Sequence, residues 1–429
     1  MNRVFAFALL LLCLGTNEHR ATAQEDQPKE AQAPAPVAPQ PPRVSRVQLK
    51  LVVDGEVVDV IEKGDLLTVV DDRPNDYVVR TFNGRKGVVA KVNAVAIAES
   101  ADIYTELITA TPDQGRLYTL RAAAYWEQGN KEKALADFDR AIELGYTQPH
   151  AYVSRALFHA AVGNYEKALA DYQIAIEKEP DVISHYVNRA SVYMTINDFA
   201  KAKADYDKAV TLDPKNASLV QQRAIAMKAM GELDASVAEF SKAIELDNRS
   251  IPALMGRGFV YFQMGKHQEA VNDFGSVIEL NPNAAVAYNN RGYNLQQVGH
   301  DKEALADFDK AIELAPEYGL AHQNRAWIMV TAKDANIRNP DAAILSAEKA
   351  CELSEFKNAG DVAALAAAYA SKKDFEKAVG WQEKVAALVS DDQKPFASAV
   401  LSLYQSNQPY DARVALEIVE QDKKAAEKK

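Results

Sequence analysis

The sequence predicts a mainly α-helical chain: a solenoid of stacked helical hairpins, preceded by one small β-barrel. Three observations carry this. A 34-residue period runs from Gly115 to Tyr318. Ahead of it, residues 47–97 switch to a period of two with β-branched side chains. One long apolar run exists, and it lies at the N-terminus. A hydrophobic content of 48% with 25% charged residues over 429 positions describes folded protein rather than disordered tail. The net charge of −11 argues against a general nucleic-acid binder, which needs a basic face to neutralise phosphates. Two cysteines exclude a disulfide framework and a cysteine-based zinc finger.

Asn2-Arg3, the apolar stretch from Val4 to Leu14 and the small-x-small triplet Ala21-Thr22-Ala23 read as a signal peptide over residues 1–23, cut before Gln24. The apolar stretch is shorter than the ~20 residues that span a bilayer. Leu12 precedes Cys13 where a lipoprotein signal carries a small residue. The expectation is an exported protein of the periplasm or extracytoplasmic envelope, with no integral membrane segment in the mature chain. Residues 24–46 hold Pro28, Pro34, Pro36, Pro39, Pro41 and Pro42 among Ala and Gln, and read as an extended Pro/Ala-rich linker.

Within 47–97, Asp54-Gly55 and Asn83-Gly84 each separate two apolar-alternating runs, which is the signature of tight hairpins. Lys63-Gly64-Asp65 and the stretch around Pro74 supply further turns, giving five short strands. Gly64-Asp65, Leu67, Val69, Tyr77, Gly84 and Gly87-Val88-Val89 resemble a bacterial Src-homology-3-like (SH3-like) domain. That resemblance implies a small barrel whose ligand groove would rest on aromatic rings, here Tyr77 and Phe82. It brings in the cell wall as a second partner class, beside a structural capping role.

Six repeats begin at Gly115, Pro149, Ile183, Ala217, Ile251 and Ala285, and a seventh at Gly319. Position 8 is always small (Ala122, Ala156, Ala190, Ala224, Gly258, Gly292), as is position 20. Position 24 is always aromatic (Phe138, Tyr172, Tyr206, Phe240, Phe274, Phe308). Small residues let two helices approach, and the ring fills the space beside them. Position 15 is Gly or Asn, suited to a left-handed turn. Pro180, Pro214, Pro282 and Pro316 end the second helices. The array resembles the tetratricopeptide repeat (TPR), which implies a right-handed superhelix of helical hairpins. Residues 98–114 read as an N-terminal capping helix and 115–318 as six repeats. Residues 319–388 read as two divergent repeats, the first with extra residues near Lys333–Asn339. Residues 389–429 read as a C-terminal capping helix and tail. Cys351 follows a core alanine and reads as an inert packed thiol.

Position 7 is arginine in all seven units, from Arg121 to Arg325, and position 23 is acidic in the six regular ones: Asp137, Asp171, Asp205, Glu239, Asp273 and Asp307. An arginine beside a small core position is partly buried and needs a carboxylate partner. One Arg–carboxylate pair per repeat is expected.

Positions 5, 9 and 12 of each first helix form a second stripe beside the packed one. In the tetratricopeptide family this stripe lines the concave surface where peptides bind. Here it contains one charge, Lys228, and is otherwise apolar, aromatic and amide-rich. The expected peptide-binding residues are Trp126, Leu157, Met194, Ile225, Met255, Phe259, Phe262, Asn289, Tyr293, Gln296, Gln323 and Trp327. Rings anchor apolar side chains, and amides bond a backbone in either sense. The lysine and arginine clamp of chaperone-tail binders is missing apart from Lys228.

No HExxH, P-loop, GxSxG or dinucleotide glycine turn occurs, and the histidines show no metal-ligand spacing. The sequence therefore reads as a non-enzymatic scaffold with no catalytic, cofactor or metal site. Its expected partner is a protein or peptide in the groove, with nucleic acid excluded. The alternative reading is an envelope anchor whose barrel contacts cell wall and whose repeats form a rigid arm.

Overall fold

The computed structural model describes residues 41–53, 56–81 and 83–426. The signal peptide, most of the linker, the Asp54-Gly55 turn and Phe82 lie outside the described residues. The chain divides into two compact units at Pro214/Lys215. Of the described residues most are helical, in nineteen helices.

The first unit opens with seven strands: β1 (Arg43–Ser45), β2 (Leu49–Val53), β3 (Glu56–Ile61), β4 (Leu66–Asp72), β5 (Asp76–Arg80), β6 (Lys86–Ala90) and β7 (Ala94–Ala96). They form an antiparallel five-stranded sheet in the order β6-β5-β4-β1-β7 and a separate β2-β3 hairpin. A bulge between Val69 and Asp71 curls the sheet. Its inward residues alternate as a half-buried strand requires: Leu67, Val69, Tyr77, Val79 and Val89 form one core with Leu51, Ile61 and Ala94. β1 falls in the segment expected to be linker. Three residues behind two prolines carry no readable period, and pairing with β4 and β7 supplies the order that local sequence does not.

The same unit continues with α1 (Ala101–Ala110), α2 (Gly115–Glu127), α3 (Lys131–Glu143), α4 (Pro149–Ala161), α5 (Tyr165–Lys178), α6 (Ile183–Thr195) and α7 (Phe199–Leu212). The strands are not tethered loosely to these helices. Val44, Val95 and Ile97 join Tyr104 and Ile108 of α1 and Leu120, Val153 and Leu157 of α2 and α4 in one buried cluster. Tyr104 donates its hydroxyl hydrogen to the Gly64 carbonyl at 3.0 Å, Gln128 donates to the Ala98 carbonyl at 2.6 Å, and Lys63 pairs with Glu106.

The second unit holds α8 (Ala217–Ala229), α9 (Leu233–Leu246), α10 (Ile251–Gln263), α11 (His267–Leu280), α12 (Ala285–Gln297) and α13 (Asp301–Leu314). It continues through α14 (Gly319–Thr331), α15 (Pro340–Leu353), α16 (Ala359–Ser371), α17 (Phe375–Leu388), α18 (Lys394–Gln405) and α19 (Ala412–Ala426). The C-terminal region thus holds a further hairpin, α18–α19, rather than one capping helix. Its Val400, Leu403, Tyr404 and Ala415 bury against Ala366, Ala370 and Ala378.

In both units each hairpin closes by the same steric rule. The position-24 rings are essentially buried, and a Cβ on Gly258 or Gly292 would lie 3.0 or 2.9 Å from the ring of Phe274 or Phe308. The turns between paired helices place Gly129 at φ 79° and Asn197 at φ 61°, as the left-handed cap demands. Helix starts are fixed by side-chain caps such as Asn130, Asp198, Asn339 and Asp374.

The arginine ladder is present and does more than expected. Arg121, Arg155, Arg189, Arg257 and Arg291 each donate Nε and Nη2 to both oxygens of the aspartate sixteen residues on, at 2.6–2.9 Å. Arg223 makes both bonds to one oxygen of Glu239. The free Nη1 then reaches back sixteen residues to the preceding second helix: Arg155 to Asp139 at 2.8 Å, Arg189 to Gln173, Arg257 to Ser241 at 2.9 Å. Each such arginine joins its own hairpin and fastens it to the one before. Arg325 lacks the inward carboxylate, finding Ser346 at 2.6 Å, and bonds backward to Asp309.

One backward rung is empty. Sixteen residues before Arg291 stands Gly275, mid-helix in α11, where a Cβ would meet only Arg291 Nη1, at 3.8 Å. Gly275→Asp is expected to raise the denaturant midpoint. The gain is about 0.5–1 kcal/mol from helix propensity plus a partly exposed ion pair. An unchanged or lowered midpoint would contradict the fastening role given to the backward bond.

Candidate functional site

The stripe of positions 5, 9 and 12 behaves differently in the two units, so each is described alone. In the first unit it is largely covered. Thr119, Ala123, Val153 and Leu157 are buried, and Leu157 is therefore corrected from binding residue to core. Ala123, Val153 and Leu157 belong to the buried cluster that also holds Val44, Val95, Tyr104 and Ile108. Trp126 is half-buried and stands edge-on to Phe158, ring centroids 5.7 Å apart. Met194 is half-buried on α6.

In the second unit the stripe is open in its first half. Ile225, Lys228, Met255, Phe259, Tyr293, Gln296 and Gln323 are half-buried, and Phe262 is exposed at 39%. The aromatic residues do different jobs. Phe259 turns toward the core, edge-on to Phe274 at 5.5 Å. Phe262 of α10 and Tyr293 of α12 meet edge to face at 5.4 Å, a two-repeat ring pair that keeps one large face in solvent. His267 lies beside Phe262, and its Nδ1 bonds the Asn294 side-chain oxygen at 2.8 Å. Trp327 is taken: Tyr410, in the loop between α18 and α19, covers it with centroids 5.0 Å apart.

The amides form their own network. Asn324 donates to the Asn289 side-chain oxygen across one repeat at 2.9 Å, and Asn289 donates to the Asn290 oxygen at 3.3 Å. Asn289 is 1% exposed, so it braces the network and is corrected from contact residue to support. Asn290 Nδ2 is itself buried and has no partner among the described residues.

The strand region offers little comparable. Tyr77 is buried, with the cations of Arg43 and Lys91 about 5 Å from its ring centre. The ring expected to floor a ligand groove is therefore a core residue. Cys351 is fully buried, and burial beside Asp361 and Glu348 pushes its thiol up to about 12. At pH 8 the thiolate fraction is on the order of 10⁻⁴. Iodoacetamide mapping is expected to leave Cys351 unmodified in native protein and alkylate it in denaturant. Native labelling would place that helix in a looser core.

Sequence reasoning missed the backward partners of the arginines and the Tyr410 cover. The former had a signal, since Asp139, Gln173, Ser241 and Asp309 share one repeat position. The latter had none.

Comparison with known proteins agrees with this geometry. The tetratricopeptide repeat matches at residues 97–149, 185–216 and 285–318, and a further TPR repeat at 258–299. The chain thus carries tetratricopeptide repeats, units that serve in general as protein-interaction scaffolds. Among solved structures it is similar to YrrB, described as a TPR protein with an unusual peptide-binding site. Identity is 26%, over 43% of this chain and 95% of that one, with a TM-score of 0.37. It is also similar to MamA (24% identity, 40% and 94% covered, TM-score 0.38) and to a tetratricopeptide repeat protein from Parabacteroides merdae (20% identity, 58% and 93% covered, TM-score 0.43). No curated protein matches the chain.

Proposed function

We propose that the chain is an exported, non-enzymatic scaffold of the cell envelope that holds a segment of a partner protein on the open stripe of its second unit. One observation carries the reading: the Phe262–Tyr293 pair leaves a large ring in solvent on a nearly uncharged surface of an acidic protein. An exposed aromatic anchor on an amide-rich stripe suits an apolar side chain with its adjoining backbone. The N-terminal apolar stretch and its Ala-x-Ala site support export. The SH3-like strand region acts in this reading as a cap over the first repeats, since Tyr77 is internal and Val44, Val95 and Ile97 are committed to the helices.

The test is affinity capture with wild-type protein against Phe262→Ser, a variant at a solvent-facing position. Loss of a specific captured protein in the variant is the expected result. Identical captured sets would overturn the assignment. Phe259→Ala is a poor probe, because that ring supports Phe274.

A further inference from the structure

Lys228 is the one charge on the stripe, at position 12 of α8, one repeat before Phe262 at position 12 of α10. The two helices pack side by side in the second unit. Some repeat lysines find carboxylates, as Lys201 does with Asp198 and Lys310 with Glu313, while others on the outer second helices, such as Lys208 and Lys242, have none within 4.0 Å among the described residues. Among the described residues no carboxylate oxygen lies within 4.0 Å of Lys228, although the side chain is half-buried; even Glu232, one turn on, does not pair with it. A partly desolvated ammonium on an apolar surface lacks the counter-charge that would stabilise it. In a chain of net charge −11, a lone cation on an otherwise uncharged stripe selects for a partner of opposite sign.

Resting on the groove reading above, we infer that Lys228 determines specificity by taking a carboxylate side chain of the bound segment. Packed helix axes lie roughly 10 Å apart. An extended chain advances ~3.3 Å per residue. The acidic residue therefore stands about three positions from the apolar side chain seated on Phe262 and Tyr293. The partner segment has the pattern acidic, two intervening residues, aromatic or large aliphatic, in either chain direction. Lys228 gives the groove its charge preference, and the ring pair gives it affinity.

Short synthetic peptides test this on the full chain. Each carries one phenylalanine anchor and either glutamate, glutamine or lysine about three positions away. Fluorescence anisotropy is expected to favour the glutamate peptide over the glutamine one by about tenfold at low salt, with the lysine peptide weakest. Lys228→Gln is expected to abolish the preference and leave the glutamine peptide's affinity unchanged. Lys228→Glu should reverse the order. Equal affinities, or a glutamate preference that survives Lys228→Gln, would overturn the inference while leaving the groove intact if Phe262→Ser still abolishes binding. Binding untouched by Phe262→Ser would overturn the groove reading itself, and the inference with it.

Discussion

Replacing Arg189 by methionine is expected to destabilise the first unit by about 3–5 kcal/mol, far more than loss of a surface ion pair. Arg189 and Asp205 side chains are 14% and 7% exposed, and both Asp205 oxygens are engaged by the guanidinium. Hydrogen bonding to Asp205 holds the Arg189 guanidinium above its ordinary value against the opposing effect of burial. Removing the cation strands a buried carboxylate and also cuts the bond back to Gln173. The double variant Arg189→Met, Asp205→Asn is expected to lose less than the sum of its parts, because the stranded charge is gone. Contacting partners couple by about 0.5 kcal/mol or more. A coupling indistinguishable from zero in urea titrations would remove the pair from the account.

This pairing shows what the sequence could and could not disclose. The inward bond was legible because Arg and Asp recur at fixed positions in every regular unit. The backward bond left a weaker trace, since its partner position holds Asp139, Gln173, Asp207, Ser241, Gly275 and Asp309 in turn, aspartate in half of the units and variable in the rest. The hairpins were legible for a steric reason: Ala122 against Phe138, repeated six times, leaves one way to close. The stripe was read only in part. Helical spacing puts Leu157 and Phe262 on the same stripe, at positions 9 and 12, yet one is covered and the other open. Leu157 joins a buried cluster that also draws in Val44 and Val95 from distant strands, a grouping that no local period encodes. Tyr410 over Trp327 is another such long-range contact, made by a loop between two C-terminal helices of which one was foreseen.

Gly64→Val should unseat the strand region from α1. Gly64 has φ 88°, and a Cβ there would lie 2.7 Å from Leu107 Cδ1 and 3.3 Å from Tyr104 Cε1. A β-branched residue in that backbone region costs about 1–2 kcal/mol, and overpacking against α1 adds about 1–3 kcal/mol. The shift also disturbs the carbonyl that Tyr104 bonds. Gly84→Val is the matched control: φ is 77°, with nothing within 4 Å of a Cβ. It should lose the backbone contribution alone. The two are compared by thermal unfolding and by proteolytic release of the strand region near residues 97–114. Equal losses in both would mean that the junction does not lock the strands to the helices.

A partner segment seated on the Phe262–Tyr293 surface would lie within reach of a crosslinker placed there. Site-specific photo-crosslinking in the source cell reads this directly. Benzoylphenylalanine is placed at Phe262 and, as a control, at Leu345, which is 69% exposed on α15 outside the stripe. A discrete higher-mass adduct is expected from position 262, absent from 345 and lost when Tyr293 is changed to serine. No adduct at 262, or the same adduct from both positions, would contradict a partner segment seated there.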